Sequence, residues 1–180
     1  MALTSTMYTL KVALANVDRS VYEQLEFRMA MHPSESPEYF VARLLAYCLE
    51  YAEGIAFSKG VSDPDDPTVS VRDLTGTITT WIEIGLPDAA RLHKASKAAP
   101  RVAVYTHKEP SVWVRQLAGE RIHKVDQIEC YVLDRDLVEA LVERLDRRLS
   151  FDLSVTDGEL FVNLGGSTLT GSIHRLPLGS

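Results

Sequence analysis

The chain has 180 residues, of which 46% are hydrophobic and 24% charged, and this composition excludes a disordered or fibrous protein. A chain of this length buries roughly 70% of the surface that its unfolded form exposes, so it needs neither a disulfide nor a structural metal to hold a core. The net charge of −6 excludes a general attraction to polyanions, so binding of nucleic acid would require a local basic patch.

Cysteine usage and the N-terminal segment indicate the cellular compartment. Cys48 and Cys130 each lie in an apolar run, which is typical of buried thiols in a reducing environment. Residues 1–14 lack the basic and uninterrupted apolar parts of a signal peptide, and no run approaches the ~18 apolar residues of a membrane span. We therefore expect a soluble, cytoplasmic protein that forms a single domain over residues 1–180.

The first part of the chain predicts a hairpin followed by a helix. Alternating polar and apolar residues predict a strand over 7–15, and turn residues separate it from 21–31. The second segment is ambiguous between a strand and a short helix, and we favour a strand that completes an N-terminal hairpin. Ser36 followed by Pro37 is typical of a helix start, and an apolar stripe with a 3.6-residue period predicts a helix over 38–53.

The remaining elements alternate between strands and helices. We expect strands over 54–60, 68–85 (with a turn at 74–76), 101–106 and 127–133, and helices over 87–97, 111–120 and 134–149. Asp134 is the expected N-cap of the last helix. A hairpin over 150–164 follows, and residues 165–180 are expected to form a loose tail. This order predicts a mixed α/β fold with a central mixed β-sheet flanked by helices.

Acidic residues near one predicted strand carry the strongest chemical signal, since the chain has no Gly-rich phosphate loop, HExxH or GxSxG motif. Asp73 precedes a turn, and Glu83 interrupts an apolar strand end, where a carboxylate is costly unless it is paired or bound to a cation. In the helix over 38–53, Glu38 lies roughly 60° from the apolar stripe and Glu50 lies opposite it. Glu38 is therefore the acid expected to face the sheet.

Six short segments together resemble the YaeQ family of bacterial proteins over nearly the whole chain. They are MHPSE (31–35), RLLA (43–46), FSKG (57–60), DLTG (73–76), WIEIG (81–85) and VAVY (102–105). The resemblance implies a variant of the PD-(D/E)XK nuclease fold, with a restriction-endonuclease-like core over residues 37–106. It also implies a Mg²⁺ (or Mn²⁺) site in which a helix acid, a strand Asp and a strand Glu hold the metal while a lysine stabilises charge.

On this resemblance, three carboxylates are the expected metal ligands and catalytic acids. Asp73 corresponds to the Asp of the motif, Glu83 to its second acid, and Glu38 is the candidate helix acid. Hard Mg²⁺ prefers such oxygen ligands and would generate the attacking hydroxide. The resemblance therefore predicts a metal-dependent nuclease or phosphodiesterase.

The lysine of the motif is missing, because Gly85 stands at its position. Lys94, in the next helix, is the candidate catalytic replacement, with Lys97 as the alternative. Arg91 and Lys97 are candidate phosphate-binding residues within a local basic patch.

Each of these residues also has a purely structural interpretation. Asp73 is equally well explained as a turn residue, Glu38 as a first-turn acid that the helix dipole favours, and Glu83 as the partner of Lys94 or Arg91 in an ion pair. The basic residues, including His93 and Arg101, would then form a solvated face or a phosphate-binding patch. The competing hypothesis is therefore a catalytically inactive nucleic-acid-binding or protein-interaction module on the same scaffold.

Overall fold

The computed structural model describes residues 4–58 and 65–179, which form a mixed α/β fold. In chain order, the strands and α-helices are β1 (Thr6–Asn16), β2 (Val21–Met31), α1 (Pro37–Leu49), β3 (Ile55–Phe57), β4 (Val69–Arg72), β5 (Ile78–Ile84), α2 (Ala89–Ala98), β6 (Arg101–Thr106), α3 (Ser111–Ala118), β7 (Glu129–Leu133), α4 (Arg135–Glu143), β8 (Arg148–Thr156), β9 (Glu159–Leu164) and β10 (Ser167–Leu176). No helix in the described residues is both long and apolar enough to cross a membrane.

The chain divides into two compact units. Residues 4–41 and 133–174 form the first unit, and residues 42–58, 65–132 and 175–179 form the second. The first unit therefore combines the N-terminal segment with a segment from the last third of the chain.

Five strands of the first unit lie in the order β2-β1-β8-β9-β10. β1 is antiparallel to β2 and parallel to β8, and β8, β9 and β10 form an antiparallel meander. Alternate residues of β1, namely Leu10, Val12 and Leu14, are buried, while Lys11 between them is exposed. This two-residue period is the signal of a half-buried strand. The strand predicted over residues 21–31 is confirmed as β2.

Five strands of the second unit lie in the order β3-β4-β5-β6-β7. β3, β4 and β5 form an antiparallel meander, whereas β5, β6 and β7 are parallel and are connected through α2 and α3. β5 is buried on both faces from Thr80 to Ile84, as expected for a strand inside a helix-covered sheet. The main members of the buried apolar cluster are Trp81, Leu92, Val102, Val104, Trp113, Leu117 and Cys130.

Side-chain caps mark three helix starts. Ser36 Oγ accepts the backbone N–H of Tyr39 at 3.1 Å, Asp88 accepts that of Arg91 at 2.8 Å, and Asp134 accepts that of Asp136 at 2.9 Å. The predicted starts at Ser36 and Asp134 are confirmed.

The predicted helix ends are too late, because α1 ends at Leu49 rather than 53, and α4 ends at Glu143 rather than 149. Of the strand predicted over 54–60, residues 55–57 form β3, and residues 59–60 lie outside the described residues.

The loose tail predicted for residues 165–180 is wrong, because Ser167–Leu176 forms β10. Gly165 and Gly166 have φ values of 58° and 83°, which allow a tight turn from β9 into β10. Gly171 pairs with Leu160 of β9. A Cβ atom at Gly171 would lie 2.8 Å from Leu137 Cβ of α4, so the missing side chain permits close packing.

We expect Gly171→Ala to lower the free energy of unfolding by roughly 1–3 kcal/mol, because the added methyl group overpacks the contact with α4. Gly119→Ala is the matched control: a Cβ atom at Gly119 would meet no other atom within 4 Å and φ is −92°, so its effect should stay within about 0.5 kcal/mol. Urea unfolding of the full chain measures both. Equal stability of the two variants would contradict the packing argument.

Candidate functional site

Glu83 is a buried acid of the second unit, with 5% of its surface exposed. Its Oε1 atom accepts hydrogen bonds from Trp81 Nε1 at 2.6 Å and from Arg91 Nε at 3.1 Å, and Arg91 Nη2 lies 2.9 Å away. Thr68 Oγ1 donates to Oε2 at 3.4 Å. Charge-assisted hydrogen bonds of this kind are the strong ones in proteins, so Glu83 is neutralised by an internal arginine.

Arg91 is held by three partners at once. Besides its contacts with Glu83, Nη2 donates to the backbone carbonyl of Asp66 at 2.8 Å, and the guanidinium carbon lies 5.1 Å from the ring centroid of Trp81. Arg91 lies in the N-terminal turn of α2, where Asp88 fixes the backbone. The ion pair, which is the structural alternative for Glu83, is the arrangement that the structure contains.

Two acids missed by the sequence reasoning join this cluster. Asp65 pairs with Lys94, whose hydrogen bond and charge lower the pKa of the Asp65 carboxyl. Asp66 Oδ1 lies 3.4 Å from Arg72 Nη2. An antiparallel pairing of β4 with β5 would have indicated their position, because it brings the residues just before β4 to the strand end that carries Glu83.

Asp73 lies at the opposite end of the β4–β5 hairpin from Glu83. Its backbone N–H bonds the carbonyl of Thr77, so residues 78–83 of β5 separate the two carboxylates, which corresponds to about 20 Å. Asp73 Oδ1 accepts hydrogen bonds from Thr75 Oγ1 at 2.5 Å and from the backbone N–H groups of Thr75 and Thr77. These hydrogen bonds lower the pKa of the Asp73 carboxyl. Asp73 is a turn residue here, and the predicted sharing of one cation with Glu83 is incompatible with this hairpin.

The other predicted ligands do not complete a metal centre. Glu38 lies in the first turn of α1, where the helix dipole favours an acid. Within residues 4–58 and 65–179, no three His, Cys, Asp or Glu side chains form a group that could hold a metal ion. The described residues therefore do not fit the expected Mg²⁺ site, and we derive no hydrolytic step from them.

Glu50 was expected to lie opposite the apolar stripe of its helix, on the side away from the sheet. This expectation is wrong, because only 3% of the surface of Glu50 is exposed. It follows directly after the last residue of α1, beside the start of β6. Arg101 Nη1 and Nη2 donate to its two oxygens at 2.6 and 3.0 Å, and Tyr105 Oη donates at 2.6 Å. The helical angle of Glu50 predicts an exposed side chain, but it takes no account of a partner from another element. The bidentate contact with Arg101 makes burial of the carboxylate charge tolerable.

Arg101 bridges Glu50 to a second carboxylate, Glu129, through contacts of 2.7 and 3.0 Å. Tyr131 Oη also donates to Glu129 at 2.6 Å, and the rings of Tyr105 and Tyr131 stack at 5.0 Å. Partial burial raises the pKa of Glu129, but the hydrogen bonds from Arg101 and Tyr131 outweigh it, so the pKa lies below its ordinary value. Arg101, considered as part of a solvated basic face or a phosphate-binding patch, instead forms ion pairs with Glu50 and Glu129.

The cationic side chains of α2 that remain exposed adjoin a second basic segment. His123 donates its backbone N–H to His93 Nδ1 at 3.0 Å, and Ser96 Oγ donates to the carbonyl of His123 at 2.6 Å. Lys97, Arg121 and Lys124 are exposed. We call this group the α2 basic cluster; its members are His93, Lys97, Arg121, His123 and Lys124. The sequence reasoning included only its two α2 residues.

Comparison with known proteins identifies the family. The model of the family described as "YaeQ protein" matches residues 1–173. The chain belongs to the YaeQ family. It is 31% identical to the uncharacterized protein YaeQ of Escherichia coli K12 over 166 residues, and 31% identical to that of Salmonella typhi over 165 residues, with 91% of each chain covered in both cases.

Two solved structures of the family resemble this chain throughout. The crystal structure of the YaeQ protein from Pseudomonas syringae superposes with a TM-score of 0.84 at 30% identity and covers 96% of both chains. That of the YaeQ protein from Xanthomonas axonopodis pv. citri gives a TM-score of 0.87 at 28% identity, covering 97% of this chain and 99% of the other. The predicted family is therefore confirmed.

We expect Arg101→Met to lower the free energy of unfolding by about 3 kcal/mol, because it leaves the buried Glu50 carboxylate without its counter-charge. Arg135→Met is the control, since Arg135 and Glu139 form an exposed pair at 3.5 Å that should contribute about 0.5 kcal/mol or less. Urea unfolding at neutral pH compares them. Similar losses in both variants would show that burial does not decide the effect.

Glu129 should contribute to the acid sensitivity of stability. Its pKa is lower in the folded than in the unfolded chain, so the stabilisation is present above the unfolded pKa, near 4.3, and is lost as the pH falls through the folded pKa. Glu129→Gln should therefore show a weaker loss of unfolding free energy than the wild type below about pH 4.3. Urea unfolding at a series of pH values tests this, and parallel curves would contradict it.

Proposed function

We propose that this protein is a metal-independent nucleic-acid-binding module on a nuclease-like scaffold, and that it does not cleave its ligand. The observation that carries the proposal is the Arg91 guanidinium, which contacts Glu83 Oε1 through two nitrogens. Kinship with PD-(D/E)XK nucleases is part of the proposal and is supported by the family resemblance and by a buried acid near the end of a sheet strand.

The argument against cleavage is energetic. A metal ion bound at Glu83 Oε1 would have to displace Arg91 and weaken its contacts with the Asp66 carbonyl and the Trp81 ring, and a metal ion at Oε2 would be repelled by the adjacent guanidinium charge. Breaking a buried ion pair costs about 3–5 kcal/mol. Asp73 cannot contribute a second ligand, since it lies at the other end of the hairpin. An acid site closed by an arginine supports binding without turnover.

The α2 basic cluster supplies the phosphate contacts in this proposal. In the segment between α3 and β7, Arg121 and Lys124 are matched in number by two acids, Glu120 and Asp126, and Lys97 on α2 adds one further positive charge. Lysine and arginine side chains that neutralise phosphates release condensed counterions, which makes binding sequence-independent and steeply dependent on salt. With few such contacts, we expect a Kd in the range of about 10⁻⁴ to 10⁻⁶ M.

The salt dependence of binding tests this assignment. Fluorescence anisotropy with a labelled DNA duplex should give a linear decrease of log K with log salt, and the double variant Lys97→Ala/Arg121→Ala should reduce the slope by about 2. Lys11→Ala removes an exposed lysine from the first unit and is the control, with no expected change in slope. An unchanged slope in the double variant would refute the role of the α2 basic cluster.

A metal-dependent phosphodiesterase centred on Glu83 is the second candidate. One observation favours it. Arg91 Nη2 contacts both Glu83 and the backbone carbonyl of Asp66, so the segment that carries Asp66 lies close to Glu83, whereas Asp73 does not. In this case, chelator-sensitive cleavage of DNA or RNA with Mg²⁺ or Mn²⁺ should disappear in Glu83→Gln and persist in Asp73→Asn. That result would overturn the non-cleaving proposal, whereas absence of cleavage in all three proteins agrees with it.

A further inference from the structure

The first unit contains a wide, open depression on the face of its sheet, with a volume of about 690 Å³. This volume lies within the range of roughly 300–1,000 Å³ that is typical of small-molecule sites. We call it the β1 trough; it is lined by Ala13, Leu14, Ala15, Tyr22, Glu23, Gln24, Asp152, Ser154 and Asn163. It is independent of the α2 basic cluster, whose residues all belong to the second unit.

Strand register explains the shape of the trough. Ala13 pairs with Gln24 of β2 and with Asp152 of β8, and Ala15 pairs with Tyr22 and Ser154. Two alanines on the middle strand therefore form a low floor between longer side chains on the neighbouring strands. Paired strands lie about 4.8 Å apart, so the walls are close enough for one ligand to contact both.

Asp152 and Asn163 form a matched pair of hydrogen-bonding groups. They are direct register partners on β8 and β9, which places their Cβ atoms about 5 Å apart. Asn163 Oδ1 accepts the hydroxyl of Thr168 at 2.6 Å, so the amide NH₂ group remains as a donor toward a ligand. A carboxylate acceptor beside an amide donor can bind two neighbouring hydroxyl groups, because a hydroxyl both donates and accepts.

Charge decides the class of ligand. No lysine, arginine or histidine is among the described residues that line the trough, and the Asp152 carboxylate disfavours phosphates and other anions. An ammonium ligand offers donors only and would leave the Asn163 amide without an acceptor. A neutral polyhydroxylated ligand satisfies both groups.

Tyr22 adds the apolar surface that such a ligand needs. It lines the trough, is 61% exposed, and pairs with Ala15, whose small side chain leaves room beside it for a ligand. An aromatic ring of this kind has an apolar body and can pack against the C–H face of a pyranose. We propose that the β1 trough binds a neutral oligosaccharide, with Asp152 and Asn163 contacting adjacent hydroxyl groups and Tyr22 stacking on a sugar ring.

Titration of the ¹⁵N-labelled full chain, followed by ¹H–¹⁵N correlation spectra, tests this proposal. The probes are maltoheptaose, cellopentaose and chitohexaose, which are neutral and differ in linkage and substitution. At least one should cause saturable shifts confined to the backbone amides of residues 13–15, 22–24, 152–154 and 163. Tyr22→Ala and Asp152→Asn should each weaken binding about tenfold, the effect of losing one good contact. Glu143→Gln, an exposed acid on α4 outside the trough, is the control with unchanged binding.

Three outcomes would overturn the proposal. The first is that none of the three oligosaccharides shifts the trough amides. The second is that the shifts persist unchanged in Tyr22→Ala and Asp152→Asn. The third is that spermine shifts the same amides with equal or higher affinity, which would make this a cation site. The Lys97→Ala/Arg121→Ala variant should bind the oligosaccharide as the wild type does. Failure of nucleic-acid binding and failure of sugar binding are therefore separate results.

Discussion

The second unit depends on the neutralisation of buried carboxylates by arginine. Glu83 and Glu50 are almost fully buried, and each is held by a guanidinium group with additional hydrogen bonds from an aromatic side chain. An isolated charge in such surroundings would be too costly to keep, so Arg91 and Arg101 are conditions of the fold. The same pairing sets the chemistry, because an acid whose charge is already neutralised by an internal cation attracts an external cation less strongly.

The two faces proposed for binding differ in charge, and this difference separates their ligands. The α2 basic cluster presents lysine and arginine side chains to solvent, which suits phosphate groups. The described lining of the β1 trough presents the Asp152 carboxylate, amides and a tyrosine without a cation, which suits hydroxyl groups. A protein with a net charge of −6 can attract nucleic acid locally where the exposed cations outnumber the neighbouring acids.

The sequence predicts the elements better than it predicts the site. Local signals, such as Ser36 before Pro37, the cap at Asp134 and the alternation in β1, identify the elements because each depends on nearby residues. The positions of the acids depend on strand register, which a single sequence does not specify. The sequence therefore suggests a pairing of Asp73 with Glu83 that the hairpin prevents, and Asp65 and Asp66 resemble ordinary loop residues. The division into two units is also hidden, since the first unit joins distant segments of the chain.

The parallel pairing of β1 with β8 has a consequence for biosynthesis. Thr9 is aligned with Arg148, and Asn16 with Val155, so β1 pairs with a strand that is synthesised long after it. Until then, β1 has only the β2 hairpin beside it, and one of its edges lacks the hydrogen bonds that β8 provides. Such long-range pairing slows folding and prolongs the lifetime of an aggregation-prone edge. The edge of β1 that will receive β8 is therefore open to wrong pairing until the last-third segment is in place.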